Sequence, residues 1–176
     1  MKAWTCVSVV LLALVGPSVV SAQTPAPSLS KELVATYQRA AKEMFDMAEA
    51  MPAEKYSFKP TPEMSTFGDQ LVHLTAIMQR FVDSAKGTKT EEHRHGAMTK
   101  PETIALLKKS FQSVEDMITP FSDAQLLEPV KFPFGDRTVT RATFWQGPMY
   151  QIRNHYGQLV VYLRMNGIVP PASVRR

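Results

Sequence analysis

Residues Met149 to Pro171, MYQIRNHYGQLVVYLRMNGIVPP, decide how the chain is read. Tyr150, Ile152, His155, Leu159, Tyr162 and Leu163 recur at helical spacing, which gives a last helix a broad apolar face with His155 at its edge. Asn166-Gly167 stops that helix, because glycine adopts the left-handed conformation at low cost. Pro170-Pro171 prevents any continuation. Gln151 and His155 are four apart and therefore share one face. A second inward-pointing histidine, His73, lies far upstream. The functional reading turns on whether these three side chains meet.

Working back from that helix, three more amphipathic segments come into view. Leu33, Tyr37, Ala40, Met44, Ala48 and Met51 make a stripe at spacings of three and four, so a first helix runs from about Leu29 to Met51, where Pro52 ends it. Met44 and Met51 fit core filling better than a soft-metal site, since methionine occupies irregular gaps. After the Pro-punctuated stretch Met51–Met64, Thr66-Phe67-Gly68-Asp69 has the form of a capping box and starts a second helix reaching about Ala85. Leu71, Leu74, Ile77, Met78 and Phe81 form its apolar face. His73 sits beside that face, and on its own it reads as a core-edge histidine bonded to a carbonyl. Thr99-Lys100-Pro101-Glu102 caps a third helix whose stripe (Ile104, Leu107, Phe111, Val114, Ile118) runs to Pro120. Phe121–Leu127 reads as one further turn capped by Ser122.

Glu128–Thr140, EPVKFPFGDRTVT, is the one stretch with strand character. A small hairpin is expected there, with Phe134-Gly135-Asp136 as its turn and Pro133 weakening it. The fourth helix starts after Thr140. Pro148 lies inside it, and an interior proline costs about 3 kcal/mol, so a kink or a broken first segment is expected near Phe144–Pro148. Four such helices in one domain imply an all-α, antiparallel four-helix bundle, and facing helices of a bundle are a natural place for a metal or ligand site.

Composition narrows the classes. The 176 residues are 44% hydrophobic with a formal net charge of +4, which suits one globular domain. No cluster of Lys and Arg interleaves with aromatics, which argues against nucleic-acid binding. Met1–Ala22 reads as a secretory signal peptide: Lys2, the apolar run Val7–Val15, and the small-residue cleavage site Val20-Ser21-Ala22. The run is too short to span a bilayer, and an uncleaved anchor is the lesser alternative. Cys6 is the sole cysteine, so cleavage after Ala22 leaves none. That excludes disulfides, zinc–thiolate sites and a cysteine nucleophile from the mature protein. The expected organisation is therefore residues 1–22 as signal peptide, 23–28 as a flexible tail, 29–171 as the helical domain and 172–176 as a C-terminal tail. In the charged connection Lys86–Lys100, Glu91-Glu92-His93-Arg94-His95 contains an H-x-H pair, which reads better as a solvated segment than as a metal clamp because nothing apolar supports it.

Two blocks carry a family resemblance. Met51–Leu74, MPAEKYSFKPTPEMSTFGDQLVHL, resembles the loop-to-second-helix block of the DinB-like (DinB/YfiT) superfamily of metal-binding four-helix bundles, which ends in a ligand histidine. That places one metal ligand on His73. Gln151–Pro171 resembles the family's last-helix block, in which two histidines four apart precede a Gly-Gln step and a close in G-x-x-P-P. The second histidine falls on His155, and the Gly-Gln step on Gly157-Gln158. The chain departs from the pattern twice: Gln151 stands where the family has the first histidine, and Asn154 where it usually has another beside His155. An amide oxygen is a weaker donor than imidazole.

The resemblance implies a divalent-metal site of His73, Gln151 and His155, holding Zn, Ni or Fe, with Asp69 and Asn154 placed to steady the ligands. Asp69 also suits helix-start electrostatics. The activities implied are thiol transfer and metal-assisted hydrolysis or isomerisation on an unidentified small molecule. Export argues against low-molecular-weight cytosolic thiols as reagents. The alternative is a non-catalytic bundle, a binding or stress-associated protein that has lost the full triad. Expected partners are a small molecule and, in a homodimer, a second copy of the chain; nucleic acid and stable membrane insertion after cleavage are not expected. The expected location is periplasmic or extracellular.

Overall fold

The structure, a computed structural model, describes residues 27–89 and 98–174. The signal-peptide reading of Met1–Ala22 and the H-x-H pair at His93 and His95 lie outside the described residues. Four long helices form the body: α1 (Leu29–Ala50), α2 (Phe67–Lys86), α3 (Lys100–Ile118) and α5 (Arg141–Met165). The short helices α4 (Asp123–Leu126) and α6 (Pro171–Val174) sit between and after them, and a single 3₁₀ turn occupies Ala53–Lys55. No helix among the described residues is long and apolar enough to cross a membrane.

Local chemistry sets the helix starts. The Thr66 hydroxyl accepts from the Asp69 backbone N–H at 3.0 Å and the Asp69 carboxylate accepts from the Thr66 N–H at 3.3 Å, a reciprocal box that satisfies two orphan donors. At α3 the Glu102 carboxylate takes both the N–H and the hydroxyl of Thr99. Ser122 and Thr140 cap α4 and α5. The start of α1 is held from a distance: Asp123 accepts from the Ser28 hydroxyl and from the N–H groups of Leu29 and Ser30. Those bonds hold its carboxyl below the usual range.

The stripes read from the sequence become one core. Tyr37, Met44, Met47, Phe67, Leu71, Leu74, Met78, Phe81, Leu107, Trp145, Leu159 and Tyr162 are buried in it, each apolar side chain contributing about 1.5–3 kcal/mol relative to exposure. Met44 and Met51 are core filling, both 0% exposed. Around the bundle α1 packs on α3, α3 on α2, α2 on α5, and α5 back on α1, so α1 and α2 face across a diagonal. The α2–α5 pair is antiparallel. Phe67 meets Tyr162 near one end, His73 meets His155 further along, and Phe81 meets Gly147 near the other end.

The hairpin pairs β1 (Pro129–Lys131) with β2 (Thr138–Thr140), in the register Pro129↔Thr140, Val130↔Val139 and Lys131↔Thr138. Gly135 supplies the turn, with φ +81°. Pro129 occupies the first strand position, where a missing N–H is tolerated, and Pro133 falls in the connecting loop rather than in the ladder.

The broken first segment expected for α5 as the alternative to a kink is not found. No break separates its first segment: the helix runs from Arg141 to Met165 with Pro148 inside. Tertiary packing outweighs the local penalty. Ala142, Phe144 and Trp145, all before the proline, are buried, as is Pro148 itself. Breaking the helix would pull two large aromatic side chains out of the core, which costs more than the roughly 3 kcal/mol of an interior proline.

Candidate metal centre

His73 and His155 meet between α2 and α5, with ring centres 5.5 Å apart and ring planes inclined at 54°. Their surroundings differ. His155 is buried, 4% exposed, whereas His73 is exposed, so the pair opens to solvent on the α2 side. The Nδ1 of His155 lies 3.1 Å from the Oε1 of Gln70. An amide oxygen can only accept, so Nδ1 carries the proton and Nε2 keeps its lone pair. Burial, and then the adjacent His73, push the His155 imidazole down to about 4, which keeps it neutral near pH 7.

Gln70 was not visible as a site residue from the sequence. The available signal was its position three residues before His73, on the same face of α2. Its partner, however, lies on the other side of the chain.

The remaining candidates are placed as follows. Gln151 is half-buried one turn before His155 and lines a groove along α5. Its amide makes no hydrogen bond among the described residues. Asn154 is exposed beside His155. The Asp69 carboxylate is engaged at the start of α2 with Thr66. Helix-start electrostatics is therefore the role its geometry displays.

Two imidazoles at this separation suit one shared cation. A metal about 2.1 Å from a ring nitrogen lies about 3.2 Å from that ring's centre, so two ligands at a roughly tetrahedral angle have centres about 5 Å apart. An imidazole whose other nitrogen donates to a carbonyl oxygen is the usual arrangement of a ligating histidine. The donor set is thin all the same. Among the described residues no group of three His, Cys, Asp or Glu side chains is disposed to hold a metal.

Comparisons with known proteins agree with this architecture. No curated protein matches the chain. Three solved structures share the fold. A DinB-like protein from Bacillus cereus has a TM-score of 0.66 at 16% identity, covering 80% of this chain and 95% of that one. A DinB-like protein from Bacillus subtilis has a TM-score of 0.61 at 20% identity, covering 77% and 92%. A conserved protein from Enterococcus faecalis has a TM-score of 0.61 at 14% identity, covering 79% and 97%. At these identities the likeness shows the fold alone. The family profile described as the DinB superfamily matches residues 36–158, a span that takes in His73, Gln151 and His155. On that match, the chain belongs to the DinB superfamily.

Proposed function

We propose that this is an exported, divalent-metal-binding DinB-like protein that acts on a small molecule, in a hydrolase-like or transferase-like reaction, through His73, Gln151 and His155. The observation that carries the reading is the His73–His155 pair with His155 anchored by Gln70. Gln70 fixes the His155 tautomer, and burial keeps that imidazole neutral. The exposed side of His73 leaves room for a substrate to approach. A bound Zn, Ni or Fe ion would supply Lewis acidity, lowering the pKa of a coordinated water or thiol. Gln151, half-buried and with no amide hydrogen bond among the described residues, lies one helical turn from His155, where it would complete the set or orient the substrate. Export rests on the Lys2, Val7–Val15 and Val20-Ser21-Ala22 pattern.

A specific observation favours a second reading. Among the described residues only two histidines, His73 and His155, come together, and Gln151 stands where the family pattern has a histidine. A chain that kept the bundle and gave up the metal would be a non-catalytic binding protein. Metal analysis of exported protein purified without an affinity tag, together with the variant Gln151→His, separates the two. Parent protein that binds at micromolar levels, with the variant binding more tightly, supports the metal-binding reading. Parent protein that binds nothing, with a variant that binds well, supports the non-catalytic one. If neither protein binds, the three side chains do not act together.

A further inference from the structure

The face shared by α2 and α5 continues well beyond the imidazole pair. Phe81 packs on Gly147 and His73 on His155, and these two contacts are eight residues apart on both helices, about 12 Å along the axis. Gln151 lies midway. A groove of about 350 Å³ fills the stretch between Phe81 and Gln151. Its floor is aromatic: the Phe81 ring meets Phe134 at 5.4 Å and Phe132 at 6.0 Å, both carried in by the hairpin loop. Tyr150, 70% exposed, also lines it.

Two guanidinium groups border this floor. Arg137 stacks over Phe132 at 4.6 Å from the ring centre, and Arg80 over Phe134 at 4.7 Å. Among the described residues neither has a carboxylate partner. Their neighbours on the hairpin and α5 do: Lys131 pairs with Asp136, Arg141 with Glu128, and Arg153 with Glu43. A guanidinium lying over an aromatic face can still turn an N–H edge to a carboxylate in bidentate geometry.

We propose that this groove binds a small molecule with a flat apolar body and a terminal carboxylate. The body lies on Phe81, Phe132 and Phe134, the carboxylate meets Arg137, and the opposite end of the molecule extends past Gln151 toward His73 and His155. The volume stands at the lower end of ligand pockets, which limits the body to about one or two rings. Two uncompensated guanidinium groups disfavour a cationic ligand. Only the placement of the reacting end rests on the metal-centre reading; the groove and its arginines stand without it.

The test uses the mature full-length chain with a chelator present, so that it does not depend on metal uptake. Two probes are titrated and followed by amide chemical shifts: 3-phenylpropionate, and the neutral 3-phenylpropanol. The acid should bind at least tenfold more tightly than the alcohol, with shifts on Gly147, Tyr150 and Gln151. Arg137→Gln, at an exposed position beside the hairpin, should remove most of that preference, the acid's affinity falling toward the alcohol's. Gln146→Trp, which fills the groove from its exposed rim, should weaken both probes. Equal binding of acid and alcohol, an unchanged acid affinity in Arg137→Gln, or shifts located elsewhere would each overturn the proposal. Zinc titration of the same samples is read separately. Loss of zinc binding with intact acid binding removes the metal-centre reading and leaves this one standing; the reverse result does the opposite.

Discussion

The Nδ1–H of His155 on α5 donates to the Oε1 of Gln70 on α2 across 3.1 Å, joining side chains 85 positions apart. The bond does chemical as well as structural work. It selects one tautomer of the buried imidazole, and it ties α5 to α2 at the level where His73 faces His155.

Gln70→Ala should therefore weaken metal binding without unfolding the bundle. Partners of this kind are typically worth 10–100-fold in metal affinity. Gln70→Glu should restore or exceed the parent value, since a carboxylate accepts the same proton more strongly. Competition titration with Zn²⁺ on the three proteins checks the order. Equal affinity in Gln70→Ala and parent would remove Gln70 from the account.

His155 makes stability fall in acid. Its folded-state pKa is depressed to about 4, through burial first and His73 second, from an ordinary value near 6.5. Between these values the unfolded chain holds the proton and the folded chain does not, so stability is fully present above about pH 6.5 and is lost as pH falls toward 4. Because burial is the larger cause, the effect is worth up to about 3 kcal/mol, most of it lost by pH 4.5. Urea denaturation at pH 7 and pH 4.5, in metal-free buffer, should show that extra loss in the parent and not in His155→Gln. A parallel pH response in both proteins would contradict the assignment.

Gly147 should resist substitution. In an ordinary helix interior, Gly→Ala stabilises by up to about 1 kcal/mol. Here a Cβ would stand 2.3 Å from the Phe81 ring, so overpacking costing about 1–3 kcal/mol should win. Gly147→Ala is expected to lower Tm, and the penalty should shrink in a Phe81→Leu background, where the ring is gone. A gain in Tm for the single variant would mean that the two helices are further apart than the structure has them.

Export predicts a processed N-terminus. Protein recovered from the exported fraction should begin at Gln23. Intact protein retained in the cytoplasm would remove the location from the proposal and reopen thiol transfer as an activity.

The parts of this architecture that were legible in advance were those set by nearby residues. Thr66 with Asp69 and Thr99 with Glu102 are three positions apart, and these caps, like that of Ser122, fall where the sequence put them. Gly135 likewise marks its own turn. Pro148 shows the limit. Its local cost is real, but burial of Phe144 and Trp145 against distant helices decides the outcome, and no local window contains those partners. The site divides in the same way. Gln151 and His155 share a helix face by spacing alone, whereas His73 was placed with them by resemblance to a family. Gln70 carried no signal beyond its spacing from His73, because its partner His155 belongs to another helix.

The central claim is that His73 and His155 hold one divalent ion. Titration of tag-free mature protein with Zn²⁺ or Ni²⁺ against a competing chelator tests it most directly. One ion should bind per chain with a Kd at or below the micromolar range, and His73→Ala and His155→Ala should each abolish uptake while circular dichroism stays helical. Uptake that survives both substitutions, or a correctly folded parent that takes up no metal, would contradict it.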